Sequence, residues 1–204
     1  MATKAQIIEL VRREILSNGT LINDDLGKVS PRQVALALEQ VYADAVFLML
    51  KNSPNDLDFL TKNYNEVDIN YDRTENSYYI TLPATIVQLP NNGGVRLVKP
   101  HGTNFKFYPT SNEDVDLFEG MDVKTHYDRT LYLLDGQGKI KLINFDYASH
   151  NIRKVNLKLV VDFGEYAMTD EISIPSGKIT EFTSILSKKL FQKSKVLDTS
   201  SDGV

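Results

Sequence analysis

The sequence contains neither cysteine nor tryptophan. Without cysteine, the chain has no disulfide bonds, no thiolate nucleophile and no cysteine-ligated zinc site. Without tryptophan, the 10 tyrosines and 9 phenylalanines supply all the large aromatic side chains. Several classes of enzyme and of disulfide-stabilised protein are therefore excluded.

An excess of positive charge is also missing. The chain has 23 lysines and arginines against 27 aspartates and glutamates, which gives a net charge of −4. This balance argues against a broad basic surface that binds nucleic acid or anionic lipid. The 42% of hydrophobic residues among 204 is enough for the core of one substantial domain or two small ones.

Long apolar runs are lacking as well. The longest, Ala45 to Leu50, is too short to span a bilayer. The N-terminus has no uninterrupted apolar region before Arg12, Arg13 and Glu14, so it does not match a signal peptide or an anchor. We therefore expect a chain that is cytosolic at synthesis and has no membrane partner.

Two helices are predicted in the first fifty residues. The first shows apolar residues at helical spacing and ends at Asn18-Gly19, where a left-handed residue can close the last turn. The second begins at Ser30-Pro31-Arg32-Gln33, which has the N-cap serine, the proline and the glutamine of a capping box. The apolar face of this second helix is wide and includes Leu36 and Phe47. Two interpretations stay open: a helix buried in its own domain, or one packed against a neighbouring subunit.

A central β region follows. It is predicted to be antiparallel because its connections are short, and its clearest hairpin has Gly136 and Gly138 at positions that need positive φ. The predicted strands are Val67–Tyr71, Tyr78–Leu82, Thr85–Leu89, Val95–Val98, Asn104–Tyr108, Asp122–His126, Leu131–Leu134, Lys139–Asn144 and Val155–Asp162.

The last predicted element is a helix with Ile179, Phe182 and Leu186 on one face and lysines near its end. The fold class is therefore α+β, with an N-terminal helical pair, a central antiparallel β region and a C-terminal helix. We predict four segments: an N-terminal helical hairpin over 1–60, an antiparallel β domain over 61–165, a C-terminal strand, loop and helix over 166–193 that pack back on the helices, and a tail over 194–204 that is disordered or ordered by a partner.

Catalytic and cofactor motifs are not found. His101, His126 and His150 are the only histidines, and no two have the spacing of a metal-binding pair on a helix. No nucleophile elbow occurs, and the glycine pairs lack the spacing and the lysine of a phosphate-binding loop. We therefore predict no enzyme activity, no metal and no cofactor.

One acidic run stands out in the central region. It places five carboxylates within ten residues without an intervening basic residue, and apolar residues interleave with them. The spacing does not match a calcium loop, so a solvated loop or a short helix with one apolar face is the simpler interpretation. The alternative is a surface at a channel or an interface. The candidate residues are Glu113, Asp114, Asp116, Glu119 and Asp122.

Two segments resemble virion structural proteins of crAss-like tailed bacteriophages. The first runs from Tyr79 to Val95 and combines a strand that ends in Leu-Pro, a second strand and an Asn/Gly turn. The second runs from Lys158 to Pro175 and is similar to the closing strand and the acidic step before the last helix of that group. Both consist of strand and turn residues.

The resemblance implies a ring or connector protein beneath the portal of a short-tailed virion. Such a protein forms a homo-oligomer, commonly of twelve copies to match the portal, around a channel through which DNA leaves without specific binding. Its partners are the portal protein and neighbouring ring or tail proteins. Its location is the virion, which is assembled in the host cytoplasm. Acidic residues on the channel wall repel phosphate, so DNA can slide.

Two other functions remain as alternatives from the residues. The tyrosine-rich β region beside acidic residues is compatible with a carbohydrate- or receptor-binding module of a phage tail, for which Tyr78 and Tyr132 are the candidate contacts. An enzyme is the third hypothesis and requires a pocket with at least two histidines and convergent carboxylates.

Overall fold

The computed structural model describes residues 2–17, 30–52, 58–111, 114, 130–136, 138–145, 152–174 and 176–199. This part of the chain is a mixed α and β structure with three helices and a large, mostly antiparallel sheet. It divides into two compact units. The helical unit comprises Met1–Leu60 with Asp162–Val204, and the sheet unit comprises Thr61–Val161.

The helices are α1 (Lys4–Ser17), α2 (Pro31–Asn52) and α3 (Ser176–Thr199). The strands are β1 (Ala2–Thr3), β2 (Thr61–Asp72), β3 (Ser77–Thr81), β4 (Val95–Pro100), β5 (Tyr108–Pro109), β6 (Leu131–Asp135), β7 (Lys139–Ile143), β8 (Lys154–Val160) and β9 (Glu171–Ile172).

The three helices pack on one another within the helical unit. The predicted division into an N-terminal pair and a C-terminal helix therefore holds only in part, because α3 packs on both α1 and α2 and completes their core. Phe182 and Leu186 of α3 are fully buried, and the Phe182 ring meets the ring of Tyr42 in α2 edge to face at 6.1 Å. One amphipathic helix alone could not cover the wide apolar face of α2.

Both N-terminal helices begin with a capping box. In α2 the Ser30 N–H donates to Gln33 Oε1 at 2.9 Å and the Gln33 N–H donates to Ser30 Oγ at 3.3 Å, which confirms the prediction. Thr3 and Gln6 make the same reciprocal pair at the start of α1, at 2.9 and 3.2 Å. This second capping box was not predicted, although its residue types match the pattern.

A short antiparallel pair of β1 and β9 joins distant parts of the chain in the helical unit. Beside it, the Lys4 side chain is only 6% exposed, lies 3.5 Å from Glu39 and places its ammonium group 4.8 Å from the centre of the Phe163 ring. Phe163 in turn packs on the fully buried Tyr42 at 5.3 Å. These contacts of Lys4 and Phe163 hold the start of α1 against the middle of α2.

The large sheet has the strand order β4-β8-β2-β3-β7-β6-β5. Its neighbours are antiparallel except for β5 and β6, which run parallel. The prediction of a purely antiparallel region was therefore wrong at this edge, because the long connection between these two strands does not impose a hairpin. The Phe107 N–H, just before β5, donates to the Val98 carbonyl of β4 at 2.8 Å. This bond links the two edges, so the sheet is close to a barrel.

The inner side of this sheet is apolar. The residues on this side are each less than 9% exposed, and residues that pair across neighbouring strands lie on it together. The central ones are Ile80, Ile140, Leu142, Val98, Val155, Leu157 and Leu159.

Three predictions of local structure were wrong. Thr85–Leu89 is not a strand, because prolines at 83 and 90 bracket it and only Ile86 forms a bridge, to Val161. Only the last residue of the predicted strand Asn104–Tyr108 pairs, with Leu131. In the β6–β7 hairpin, Gly138 has a positive φ of 75° whereas Gly136 does not. The predicted strand Asp122–His126 lies outside the described residues.

Candidate functional site

The two segments that carry the family resemblance meet in the sheet unit. The Val87 N–H donates to the Val160 carbonyl at 2.9 Å, and the Val160 N–H donates to the Gly94 carbonyl at 2.8 Å. A Cβ atom at Gly94 would lie 2.4 Å from the Val87 carbonyl oxygen. Only glycine fits such a close approach of two backbones. We call this arrangement the Gly94 junction.

A cavity of about 580 Å³ opens beside the turn that precedes the Gly94 junction. Its polar wall includes Asn92, whose side-chain amide donates to the Thr110 carbonyl at 3.0 Å. Asp114 accepts a hydrogen bond from the Ser111 hydroxyl at 2.7 Å, and its own N–H donates to Ser111 Oγ at 3.2 Å. These groups can hydrogen-bond a polar ligand, but the carboxylate already has a local capping role.

Asp114 is the member of the acidic run that the structure places. It is exposed at the rim of this cavity. The other candidate residues, Glu113, Asp116, Glu119 and Asp122, lie outside the described residues. Their assignment to a channel or an interface stays a prediction.

His101 belongs to a polar cluster on the outer side of the sheet. Its Nδ1 lies 3.4 Å from Asn156 Oδ1, which also accepts the Glu66 N–H at 3.0 Å. Glu66 sits at a bulge of β2 with a positive φ of 57° and pairs with Lys154 at 3.0 Å. The hydrogen bond from Lys154 lowers the pKa of Glu66, and the same bond raises the pKa of Lys154.

His126 and His150 lie outside the described residues. Within the described ranges, no group of three or more histidine, aspartate or glutamate side chains could hold a metal ion.

Aromatic side chains form a continuous run in the sheet unit. The ring centres of Tyr71 and Tyr78 are 5.0 Å apart, Tyr78 lies 5.2 Å from Phe145, and Phe145 lies 5.9 Å from Phe107. Phe105 continues the run at 6.3 Å from Phe107. Both end members, Tyr71 and Phe105, are 47% exposed. Phe107 within the run is only 3% exposed, so the two end rings are the surface where a flat apolar ligand could stack.

Tyr132 does not belong to that surface. It is 2% exposed, and its hydroxyl donates to the Val95 carbonyl at 3.3 Å. Burial raises the pKa of Tyr132 to about 12. Tyr132 is therefore a core residue and cannot contact a ligand on the surface, whereas Tyr78 is half-buried within the aromatic run.

Helix α2 exposes apolar side chains on the side opposite its core face. Its core face buries seven residues, among them Leu38, Tyr42 and Ala45. On the other side, Leu36 is 54% and Phe47 is 47% exposed. By length and hydropathy alone α2 could cross a membrane, a test that core helices of soluble proteins also pass. The buried face accounts for part of that apolar character, and Leu36 and Phe47 are its exposed large side chains.

A groove of about 480 Å³ lies between α1 and the start of α3. Ala5, Leu10 and Ile179 form its apolar part, and Glu9 and Arg13 form its charged edge. Arg13 donates to Glu9 at 3.0 Å, and its side chain is 73% exposed. This groove was not predicted from the sequence, because its two walls are about 170 positions apart in the chain.

Comparison with models of protein families gives no match, and comparison with curated proteins gives none either.

Proposed function

We propose that this chain is a virion structural protein, a ring or connector component at the portal–tail junction of a tailed bacteriophage, where it forms part of the DNA ejection channel. The observation that carries the proposal is the Gly94 junction. Two segments about 70 positions apart each resemble the crAss-like virion proteins, and their backbones are directly hydrogen-bonded. Both segments resemble the same group of proteins. Because they form one local structure, a common structure explains this better than chance similarity of two isolated strands.

The surfaces of the chain are compatible with this role. A ring subunit needs separate contact patches for its two neighbours in the ring and for the layers above and below. The helical unit exposes Leu36, Phe47 and Leu10, and the sheet unit exposes Tyr71 and Phe105. In the proposed ring, the helices α1 and α2 pack alongside their copies and the sheet unit contacts the next layer. The role needs no active site.

The proposed partners follow from the same resemblance. They are further copies of the chain, twelve in a ring that matches the portal, together with the portal protein and neighbouring ring or tail proteins. DNA passes through without specific binding. The acidic run with exposed Asp114 is the proposed channel or interface surface, because like charge repels the phosphate backbone.

A map of the intact particle by electron cryomicroscopy tests the proposal. We expect density beneath the portal into which the helical unit and the sheet unit fit separately as repeated copies. Density for the chain only in the capsid shell or at the distal tail tip would contradict the connector role.

We propose a second candidate function, a carbohydrate- or receptor-binding module of a phage tail, because the aromatic run ends in two half-exposed rings. Aromatic faces of this kind stack on the apolar faces of sugars. Tyr71→Ala and Phe105→Ala should each abolish binding on a glycan array, whereas Met168→Ala, at an exposed apolar residue of the helical unit, should not. Absence of glycan binding by the unaltered chain would exclude this candidate.

A further inference from the structure

The turn that leads into the Gly94 junction contains the dipeptide Asn92-Gly93. Glycine has no side chain to shield its main-chain nitrogen, so this nitrogen reaches the amide carbon of a preceding asparagine more easily than that of any other residue. Asn92 is half-buried and lines the cavity of about 580 Å³, where water has access to it. The groups needed for spontaneous deamidation of asparagine are therefore present in this one turn.

Deamidation of the dipeptide consumes water and releases ammonia. The Gly93 nitrogen loses its proton to hydroxide and bonds to Cγ of Asn92. The bond from Cγ to Nδ2 breaks, and Nδ2 takes up a proton and leaves as ammonia. Water then opens the cyclic imide at either of its carbonyl groups. The products are aspartate and isoaspartate, and in the latter the main chain runs through the former side chain and is one atom longer.

In the folded chain, both nitrogens of this reaction are held in hydrogen bonds. The Gly93 N–H donates to the Pro90 carbonyl at 3.0 Å, which opposes removal of its proton. Nδ2 of Asn92, the leaving group, donates to the Thr110 carbonyl at 3.0 Å. Both bonds must break before the imide can form, and each is partly shielded from water that would replace it.

Close packing also keeps the turn from rearranging. Asn92 has a positive φ of 57°, a conformation that asparagine adopts more readily than most residues. A Cβ atom at Gly93 would lie 3.0 Å from the Pro90 carbonyl oxygen, and one at Gly94 would lie 2.4 Å from the carbonyl oxygen that faces it. The turn therefore has little room to move while the Gly94 junction is closed.

We infer that Asn92 is a deamidation site that the closed Gly94 junction protects, and that modification there weakens the junction. The aspartate product has no N–H for the Thr110 carbonyl and places a carboxylate beside that oxygen, in the cavity that Asp114 also lines. The isoaspartate product adds a main-chain atom where the packing does not admit a single Cβ atom. This inference is independent of the proposed function.

Peptide mapping by mass spectrometry, after ageing of the chain at mildly alkaline pH, tests the protection. Deamidation of Asn92 should be at least about tenfold slower in the folded chain than in the same chain in urea, because only the open form reacts. The chain has a second Asn-Gly pair, Asn18-Gly19, which should react in urea at a rate similar to that of Asn92 and is the internal reference. Equal rates at Asn92 with and without urea would overturn the inference.

A pair of glycine variants tests whether the Gly94 junction provides the protection. Gly94→Ala should speed deamidation of Asn92 in the folded chain about fivefold or more, because the strained junction opens more often. Gly136→Ala, where nothing lies within 4 Å of the new Cβ, should leave the rate unchanged. The rate of each variant in urea corrects for any effect on the reaction itself. If Gly94→Ala aged no faster than Gly136→Ala, the junction would not be the source of the protection.

The effect of modification on the junction is tested with the aspartate product. Asn92→Asp should lower the midpoint of thermal unfolding, since the Thr110 carbonyl loses its donor. Asn104→Asp, at an exposed asparagine of the sheet unit, is the matched control and should leave the midpoint nearly unchanged. Equal midpoints for the two variants would refute the claim that modification of Asn92 weakens the junction.

Discussion

Gly94 shows most directly how one residue determines the local structure of the sheet unit. Its carbonyl accepts the Val160 N–H, and its Cα faces the carbonyl of Val87 so closely that a side chain does not fit. The sequence alone indicated only that Gly94 belongs to an Asn/Gly turn. The need for glycine comes from the backbone of Val87, seven positions earlier, which the chain brings back against Gly94, and the hydrogen bond comes from Val160, 66 positions later. Neither contact can be read from the turn residues themselves.

Gly94→Ala should destabilise the chain by about 1–3 kcal/mol, because the new Cβ would lie 2.4 Å from the Val87 oxygen and one backbone segment must shift. Gly136→Ala is the control, since nothing lies within 4 Å of its Cβ position and its φ is not positive. Thermal unfolding of both variants measures the difference. Equal midpoints would contradict the close approach at Gly94.

The Glu66–Lys154 pair predicts a dependence of stability on pH. Lys154 holds the pKa of Glu66 below its ordinary value, so the contribution of the pair is present at neutral pH and is lost as the pH falls through that lowered pKa. Lys154 has a raised pKa, so its part is retained up to high pH and is lost only above the ordinary lysine range.

Lys154→Met should therefore lower the unfolding midpoint at neutral pH, and the difference from the unaltered chain should shrink below about pH 4, where carboxyl groups are protonated. Lys158→Met is the matched control on the same strand, because Lys158 is exposed and forms no ion pair with a described residue. A difference that is constant from neutral to acid pH would show that the pair contributes nothing.

Secondary-structure elements were predictable where their signals are local. The capping box and the helical spacing of α2 depend on residues that are close together in the sequence, and the observed helix begins at the predicted proline. By contrast, the first half of β2 contains Asn63, Asn65 and Glu66, which are poor strand formers. It is a strand because it pairs with β8, and such long-range pairing is invisible to a local pattern.

The candidate surfaces, too, were predictable only where their signal lies in residues close together in the sequence. The sequence indicated that α2 has more apolar surface than one core face requires, and the exposed Leu36 and Phe47 agree with that. The α1–α3 groove was not predictable, because it exists only once the two chain ends lie together. Tyr132 was misassigned because aromatic residues of the inner and outer sides of a strand look alike in sequence.

At the start of α2, Ser30→Ala should reduce the free energy of unfolding by about 1 kcal/mol, since the Gln33 N–H loses its acceptor. Gln33→Glu preserves both halves of the capping box and should leave stability within about 0.5 kcal/mol of the unaltered chain. Chemical denaturation measures both variants. If Ser30→Ala were as stable as Gln33→Glu, the capping box would not contribute to α2.

On the scale of the whole molecule, the division into two units does not follow the order of the elements along the chain. The helical unit takes its helices from both ends of the sequence, and the sheet unit is inserted between them. The chain thus enters and leaves the sheet unit once each, at Thr61 and Val161. Each unit offers its own exposed apolar surface, which is what a subunit with several neighbours requires.

The mass of the complex that contains this chain in purified phage particles tests the connector role most directly. We expect the 23.0 kDa chain to be released from disrupted particles together with the portal protein, in a complex that holds twelve copies of it. A chain that is missing from purified particles, or that stays monomeric when the portal protein is present, would contradict the account.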